Sequence, residues 1–173
     1  MFTMNELEQA KLSGIERSIL FSLSKNPVSY EISLMNNKDK GQRIEWMMYR
    51  KFLCHGFKTD YVGGRYDLLV NNDIRVEIKC ATARSDSSPS PYVIQKMKPE
   101  YFDIVFMVFI APDKQEIKWS TQKDVKSWSS GRARGAEGYS VVFNSDIENS
   151  SLRYKNGFDS FLEEYAWQNE CVA

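Results

Sequence analysis

Hydrophobic and polar residues alternate most clearly in two short stretches in the middle of the chain. Residues 66–70 and 74–80 are rich in aliphatic and β-branched side chains, and residues 71–73 between them read Asn-Asn-Asp. Asparagine and aspartate favour turns because they tolerate positive φ angles and bond to their own backbone. The pattern therefore predicts a β-hairpin with its turn at residues 71–73.

Longer patterns on either side of the hairpin predict helices and buried strands. Residues 40–55 form an apolar face at helical spacing, with Asp39 as the expected N-cap and Gly56 as the expected C′ residue. The nearly unbroken apolar run over residues 101–110 predicts a central strand, with residues 116–120 as its neighbour. Weaker patterns predict further helices: one helix, or two broken near Gly14, over residues 5–24, ended by Pro27; a short helix from the cap Thr121 to 128; and a helix over 157–168. They also predict strands over residues 57–62 and 139–143. Two segments are ambiguous, a strand or loop over 28–35 and a short helix or strand over 92–97.

Strand geometry brings two acids of the predicted hairpin together. Successive side chains of a strand alternate faces, so Glu77 and Lys79 share one face. If the turn has three residues, Val70 pairs with Ile74, and counting outward places Asp67 opposite Glu77, with Cβ atoms roughly 5 Å apart. A two-residue turn would send Asp67 to the other face.

The two acids, Asp67 and Glu77, are called the acid pair below. Two carboxylates at this separation repel by about 3 kcal/mol at an effective dielectric constant of 20. Two interpretations follow. Lys79 forms a salt bridge with one of the acids, as is common on solvated strands, or several carboxylate oxygens face a hard divalent cation such as Mg²⁺.

A third acid lies on the helix that precedes the hairpin. Glu45 has Met48, Tyr49 and Phe52 as its neighbours at helical spacing, so it belongs to the apolar side of the predicted helix. Burying an unpaired carboxylate there costs several kcal/mol. Glu45 therefore either reaches water at the edge of the apolar side or meets Arg43 or Tyr49, or it leans towards the same cation as the acid pair.

Composition restricts the possible functions. At 173 residues the chain is long enough for one domain with a proper core. Its 23 Lys+Arg balance 23 Asp+Glu, so any nucleic-acid binding must use a local basic patch. His55 is the single histidine, which excludes mechanisms built on several histidines.

The cysteines and the first residues suggest a location. Cys54, Cys80 and Cys171 are odd in number and show no paired spacing, which favours free thiols over a zinc site or disulfides. Residues 1–11 lack the pattern of a signal peptide, and no segment approaches the length of a membrane span. We expect a cytoplasmic protein.

Cations that could contact phosphates cluster late in the chain. Arg132 and Arg134 lie in a glycine- and serine-rich stretch, with Lys123 and Lys126 just before it, and Arg84 lies in an earlier polar stretch. Mobile cations release condensed counterions when they bind phosphates. These residues are candidates for nucleic-acid binding, and a plain solvated loop is the alternative.

Taken in order, these features resemble a known family. Gly41-x-x-x-Glu45, Leu53-x-x-x-Gly56-Phe57, Asp67, Glu77-x-Lys79 and the apolar strand from Tyr101 resemble the PD-(D/E)xK nuclease superfamily, which includes restriction endonucleases and Holliday-junction resolvases. The chain departs from the family pattern in two places. Tyr66 stands where the family name has proline, and the segment after Lys79 is proline-rich where the family often has a helix.

The resemblance implies a fold and a domain organisation. The expected fold is α/β with a restriction-endonuclease-like core, a central mixed β-sheet of four or more strands flanked by helices in αβββαβ-type order. A single nuclease-like domain would span residues 1–173. Its core would lie at about 39–120, with an N-terminal helical segment at 1–35 and a C-terminal extension at 121–173.

The resemblance also implies roles for the site residues. Asp67 and Glu77 would hold one or two Mg²⁺ ions together with a backbone oxygen, for which Ile78 is the candidate, and Mn²⁺ would substitute. Lys79 would orient or help deprotonate the attacking water and stabilise the charge that develops on the phosphate. Glu45 would hold a water on the ion, or a second ion. The Ile78 side chain should point into the core.

The implied function is hydrolysis of DNA. We expect a Mg²⁺-dependent endonuclease of type II restriction-enzyme or mobile-element kind that leaves 5′-phosphate and 3′-hydroxyl ends. Double-stranded DNA is the expected partner, and a homodimer would cut both strands most simply. The alternatives are a structure-specific junction or repair nuclease and a catalytically silent nucleic-acid-binding subunit of the same fold.

Overall fold

The computed structural model describes most of the chain. The described residues are 27–82, 92–111, 115–128, 138–144, 146–150 and 152–165. The predicted helix over residues 5–24 and the candidates Arg84, Arg132 and Arg134 lie outside these ranges.

Helices and strands are mixed along the described chain. In order they are α1 (Pro27–Leu34), α2 (Asn37–Cys54), β1 (Thr59–Tyr61), β2 (Leu68–Val70), β3 (Ile74–Thr82), β4 (Tyr92–Met97), β5 (Ile104–Ile110), β6 (Gln115–Thr121), α3 (Gln122–Ser127), β7 (Tyr139–Phe143), β8 (Lys155–Asn156) and α4 (Gly157–Tyr165). None of the helices in the described ranges is long and apolar enough to cross a membrane.

A six-stranded sheet lies at the centre of the fold. Its strand order is β1-β2-β3-β5-β6-β8, and β4 and β7 form a separate two-stranded sheet. β3 and β5 run parallel, whereas the other neighbouring strands of the central sheet run antiparallel. The predicted central mixed sheet flanked by helices is confirmed.

The described part of the connection between the parallel strands β3 and β5 contains a strand, whereas the expected order of elements has a helix in this connection. Parallel neighbours need a long crossover, which is usually a helix. In the described part of this crossover, residues 92–97 form the strand β4, in which Tyr92, Ile94 and Met97 are buried. The ambiguous pattern over these residues therefore belongs to a strand that covers one face of the central sheet.

Each face of the central sheet has its own hydrophobic core. On one face, α2 packs against β3 and α4 packs against β6, and Val76 and Ile78 of β3 belong to this core. The ring of Phe52 on α2 meets four other aromatic rings edge-on in this core, at centroid distances of 5.0–5.6 Å. These rings belong to Phe57, Phe106, Phe158 and Phe161.

The opposite face of the sheet packs against the β4–β7 sheet and α3. Val105, Met107 and Phe109 of β5 point to this side, where Phe109 contacts Tyr92 and Phe143. Every residue of β5 is buried. This confirms the central strand predicted from the apolar run, since a strand covered on both faces has no polar positions.

The prediction for residues 28–35 was wrong. Residues 28–34 belong to a helix, α1, whose first residue is Pro27. Proline is tolerated in the first helical turn, where its missing N–H would have no partner. Val28 and Ile32 are one helical turn apart and both buried, so they dock α1 on the core.

The predicted helix over residues 40–55 exists but begins earlier than expected. Asn36 is its N-cap, and its Oδ1 accepts hydrogen bonds from the N–H groups of Lys38 (3.1 Å) and Asp39 (3.0 Å). Asp39 was expected in this role but lies in the first turn, where its charge favours the helix dipole. Gly56 has φ +81°, as expected for a residue that ends a helix.

Candidate functional site

The hairpin of β2 and β3 has the predicted turn. Val70 pairs with Ile74, which leaves a three-residue turn, and Asn71 and Asn72 adopt positive φ angles of 52° and 62°. Asn71 also ties the turn to the start of β1. Its N–H donates to the Lys58 carbonyl (2.7 Å) and its Oδ1 accepts from the Lys58 N–H (3.1 Å). The predicted register is therefore confirmed.

Asp67 lies one residue before the paired part of β2 and is held at several points. The last pair of the ladder is Leu68 with Val76. The Asp67 N–H donates to the Val76 carbonyl (3.0 Å), and its carbonyl accepts from the Val62 N–H (2.9 Å). Its side-chain Oδ2 accepts from the Ile78 N–H (2.7 Å). Both the backbone and the carboxylate of Asp67 are thus fixed beside β3.

The charged side chains of β3 form two ion pairs. Arg75 pairs with Asp103 through an Nη2–Oδ1 contact of 2.6 Å, and Asp103 also accepts from the Arg75 backbone N–H (2.9 Å). Lys79 pairs with Glu77, which is only 9% exposed. The salt bridge between Lys79 and one of the two acids, one of the interpretations of the sequence, therefore forms. Its acid is Glu77, on the same strand as Lys79.

The carboxylates of this region repel one another. Burial raises the pKa of Asp67 to about 7, and the negative charges of Glu77 and Glu45 add to this, whereas the Ile78 N–H and Lys79 oppose it. Burial also raises the pKa of Glu77, again with Glu45 adding and Lys79 opposing. The three acids therefore form one electrostatic cluster with a deficit of positive charge.

Glu45 is held by a residue that sequence reasoning missed. Its Oε2 accepts a hydrogen bond from the Tyr61 hydroxyl, and this bond, together with burial, raises the pKa of Tyr61 to about 12. The Tyr61 ring packs edge-on against Tyr49. Tyr61 pairs with Leu68 across β1 and β2, which places it next to Asp67. The only signal in the sequence is the position of Tyr61 in a predicted strand before the hairpin.

A buried lysine lies near the far end of β3. Lys40 of α2 is 7% exposed, and its Nζ donates to Thr82 Oγ1 at 2.7 Å. Burial lowers the pKa of Lys40. Nothing in the helical pattern marks Lys40, because its burial depends on the packing of α2 against β3.

The acid pair fits an open metal site rather than a closed one. Among the described residues, no group of three or more His, Cys, Asp or Glu side chains is arranged to hold a metal ion. Mg²⁺ commonly binds one or two carboxylates and takes its other ligands from water and substrate phosphates. The half-buried Asp67 and the buried Glu77, both with a raised pKa, match that donor set, since a cation would offset their repulsion.

The other predicted site residues within the described ranges differ in burial. The Ile78 side chain is 4% exposed in the core, as expected, while a role for its carbonyl in metal binding stays a prediction. Lys123 and Lys126 are exposed on α3, which Thr121 caps as expected. Contact of these lysines with nucleic acid also stays a prediction.

A separate cavity of about 510 Å³ lies between β6, β8 and the start of α4. Its walls include Lys51, Lys118 and Glu116, and no member of the acid cluster lines it. The cavity therefore does not belong to the candidate site.

The chain was compared with known proteins. No protein-family model matches it, and no curated protein matches it in sequence. Among solved structures, the chain is similar to a bacterial homing endonuclease, I-Ssp6803I, with 14% identity and a TM-score of 0.49. The match covers 78% of this chain and 98% of the other. A similarity of this size carries no inference about function.

Proposed function

We propose that the protein is a Mg²⁺-dependent endonuclease that hydrolyses phosphodiester bonds in double-stranded DNA. The supporting observation is the cluster of Asp67, Glu77 and Glu45 with Lys79, built on a rigid hairpin and short of positive charge. Mn²⁺ would substitute for Mg²⁺. The products would carry 5′-phosphate and 3′-hydroxyl ends, and the enzyme would be of type II restriction-enzyme or mobile-element kind.

Each residue of the cluster has a role in this proposal. Asp67 and Glu77 would hold the ion, with the Ile78 carbonyl as a further ligand, and Glu45 would hold a water or a second ion. Mg²⁺ supplies Lewis-acid polarisation of a phosphoryl oxygen. Lys79 would hold its ammonium group beside the phosphate that is cut and stabilise the developing negative charge.

Tyr61 is a positioning residue in this proposal. Its hydroxyl donates to Glu45 Oε2, so it keeps the Glu45 carboxylate turned towards the acid pair. Groups that orient metal ligands in this way typically change affinity or activity 10–100-fold when they are removed.

The proposal includes a cytoplasmic homodimer. One active site cuts one strand, and two-fold symmetry is the simplest way to cut both strands of a duplex. Cys54 and Cys80, the cysteines within the described residues, are both free thiols, as expected in a reducing compartment.

A cleavage assay tests the function directly. Plasmid, four-way junction, single-stranded DNA and structured RNA are incubated with Mg²⁺, Mn²⁺ or EDTA. We expect metal-dependent cutting of duplex DNA that falls at least about a hundredfold in Lys79→Ala, because a group that stabilises transition-state charge is lost. Lys58→Ala, which removes an exposed lysine beside the hairpin turn, is the matched control and should cut normally.

The outcomes separate the alternatives. Cutting restricted to the junction would indicate a structure-specific nuclease, and duplex binding without cutting in either metal would indicate a silent binding subunit. Undiminished cutting by Lys79→Ala would contradict the proposed role of Lys79.

Tyr61→Phe tests the positioning role of the hydroxyl. We expect about a tenfold loss of activity together with a higher Mg²⁺ concentration for half-maximal rate, because Glu45 is no longer oriented. The Tyr49→Phe variant keeps the packing of the two rings and serves as the control. A loss of stability with an unchanged Mg²⁺ requirement would contradict this role and leave Tyr61 purely structural.

A further inference from the structure

Two cations meet on one aromatic ring near the candidate site. Arg65 Cζ lies 5.5 Å and Lys98 Nζ lies 5.9 Å from the centre of the Tyr101 ring. These three residues are called the Tyr101 cluster. Cations are attracted to the negative face of an aromatic ring. Two positive charges therefore lie at the same ring, and such a local concentration of positive charge favours binding of an anion.

The part of the cluster that follows β4 is rigid. Lys98 and Tyr101 are the ends of a turn closed by a hydrogen bond from the Tyr101 N–H to the Lys98 carbonyl (3.0 Å). Pro99 occupies the second position, where its fixed φ suits a turn. The Pro99 carbonyl accepts a hydrogen bond from the Gln122 side chain, which ties the turn to the first residue of α3. Little ordering is therefore needed when a ligand binds.

The other part of the cluster lies at the edge of the acid pair. Arg65 is two residues before Asp67, so their Cα atoms are at most about 7 Å apart. Gly63 and Gly64 adopt positive φ angles of 63° and 119°, a bend that non-glycine residues rarely form. The bond from the Val62 N–H to the Asp67 carbonyl closes the loop and holds Arg65 beside the site.

The charge of Arg65 is not neutralised by a described neighbour. Arg75 pairs with Asp103, whereas Arg65 forms no ion pair with any carboxylate in the part of the chain that the structure describes. Arg65 is exposed, and Glu100, an exposed acid in the turn, is the opposing charge of the cluster. Since the whole chain has equal numbers of acids and bases, a local cationic surface of this kind is what DNA binding requires.

We propose that Arg65 and Lys98 bind a phosphate of duplex DNA adjacent to the one held at the acid pair. This inference rests on the proposed function and adds a binding surface to it. The planar guanidinium of Arg65 donates to two phosphate oxygens at once, and the Tyr101 ring keeps its plane oriented. Lys98, which contacts the same ring, supplies a second positive charge to that phosphate.

The test measures binding separately from cleavage. A labelled duplex of mixed sequence is titrated with the protein in EDTA over a range of salt concentrations, since phosphate contacts do not depend on sequence. We expect the double variant Arg65→Ala and Lys98→Ala to reduce the slope of log affinity against log salt by about 0.9, the value for one neutralised phosphate. The double variant should bind about eightfold more weakly at 0.1 M salt, and each single variant should show a smaller loss.

Matched variants control for net charge and for folding. Lys58→Ala removes the same charge near the hairpin turn, at the other end of β2 from Asp67, and should leave the salt slope unchanged. Glu100→Gln removes the opposing acid and should tighten binding. Thermal unfolding of each variant shows whether it is folded. Arg65→Lys keeps the charge, so it should keep the salt slope but bind less tightly than wild type.

The possible results distinguish this inference from the proposed function. Wild-type slopes in the double variant, or no binding of duplex DNA by the wild-type protein, would overturn the phosphate-binding role. If the wild-type protein binds duplex DNA, the Arg65 and Lys98 variants bind it more weakly, and the wild-type protein cuts no DNA, the result would support phosphate binding by the Tyr101 cluster. The same result would contradict the proposed nuclease activity.

Discussion

Asp67 carries a carboxylate that burial and neighbouring acids hold partly protonated near neutral pH. Its pKa is about 7 in the folded protein against an ordinary value of 3.8. The folded state therefore binds more protons than the unfolded state between these two values, and the free energy of unfolding falls as pH rises through this interval. Without divalent metal, we expect a loss of about 1–4 kcal/mol between pH 4 and pH 8, measured by urea unfolding in EDTA; the upper end neglects solvent screening.

Asp67→Asn is the control for this pH dependence. The amide does not titrate, so the variant should lose a large part of the dependence, with Glu77 providing the remainder. A divalent cation competes with the proton for Asp67, so 5 mM Mg²⁺, on the order of its usual working range, should raise the melting temperature more at pH 8 than at pH 6. An equal shift at both pH values, or none, would contradict a metal site at the acid pair.

The β2–β3 hairpin places the site residues, and its turn determines its register. Asn71 and Asn72 share positive φ angles, but the Asn71 side chain alone accepts a hydrogen bond from Lys58. We expect Asn71→Ala to reduce the free energy of unfolding by about 1–2 kcal/mol, because strain is added and a hydrogen bond is lost. Asn72→Gly should increase it by about 0.5 kcal/mol, because glycine relieves the strain. Urea unfolding measures both changes.

The substitutions Asn71→Ala and Asn72→Gly should change the free energy of unfolding in opposite directions, although the two residues are adjacent. If both substitutions were neutral, the turn would not determine the register of the hairpin. The register matters because a shift of one residue would move Asp67 to the face opposite Glu77.

The helix α4, the last one within the described residues, is part of the same packed unit as the strands of the site. Phe161 contacts the rings of Phe52, Phe106 and Trp119 at centroid distances of 5.2–5.6 Å. We expect Phe161→Ala to reduce the free energy of unfolding by about 3–5 kcal/mol, because it leaves a cavity in this core. Tryptophan fluorescence and far-ultraviolet circular dichroism should report one shared transition. Exposed Glu163 provides the control, since Glu163→Ala should change stability little.

Separate transitions for the two probes would contradict this cooperative unit. They would indicate that α4 unfolds independently of the sheet and that the core around Phe52 is stable without it.

Much of the central sheet could be predicted because its signals are local. The hairpin, its three-residue turn and the shared face of Glu77 and Lys79 follow from the two-residue period of a strand and the turn preference of asparagine. The buried strand β5 follows from an apolar run that only a strand covered on both faces tolerates. Errors arose where local signals compete, as at the N-cap of α2, where Asn36 and Asp39 are both good caps.

The partners of the charged groups depend on contacts between residues far apart in the chain. Arg75 and Lys79 are equivalent neighbours of Glu77 in the sequence, yet Asp103 engages Arg75 and leaves Lys79 to pair with Glu77. Glu45 meets Tyr61 because α2 contacts β1. Strand period and turn chemistry determine which side chains share a face, whereas the packing of helices and loops against that face determines which charges meet, since electrostatic partners follow distance in space.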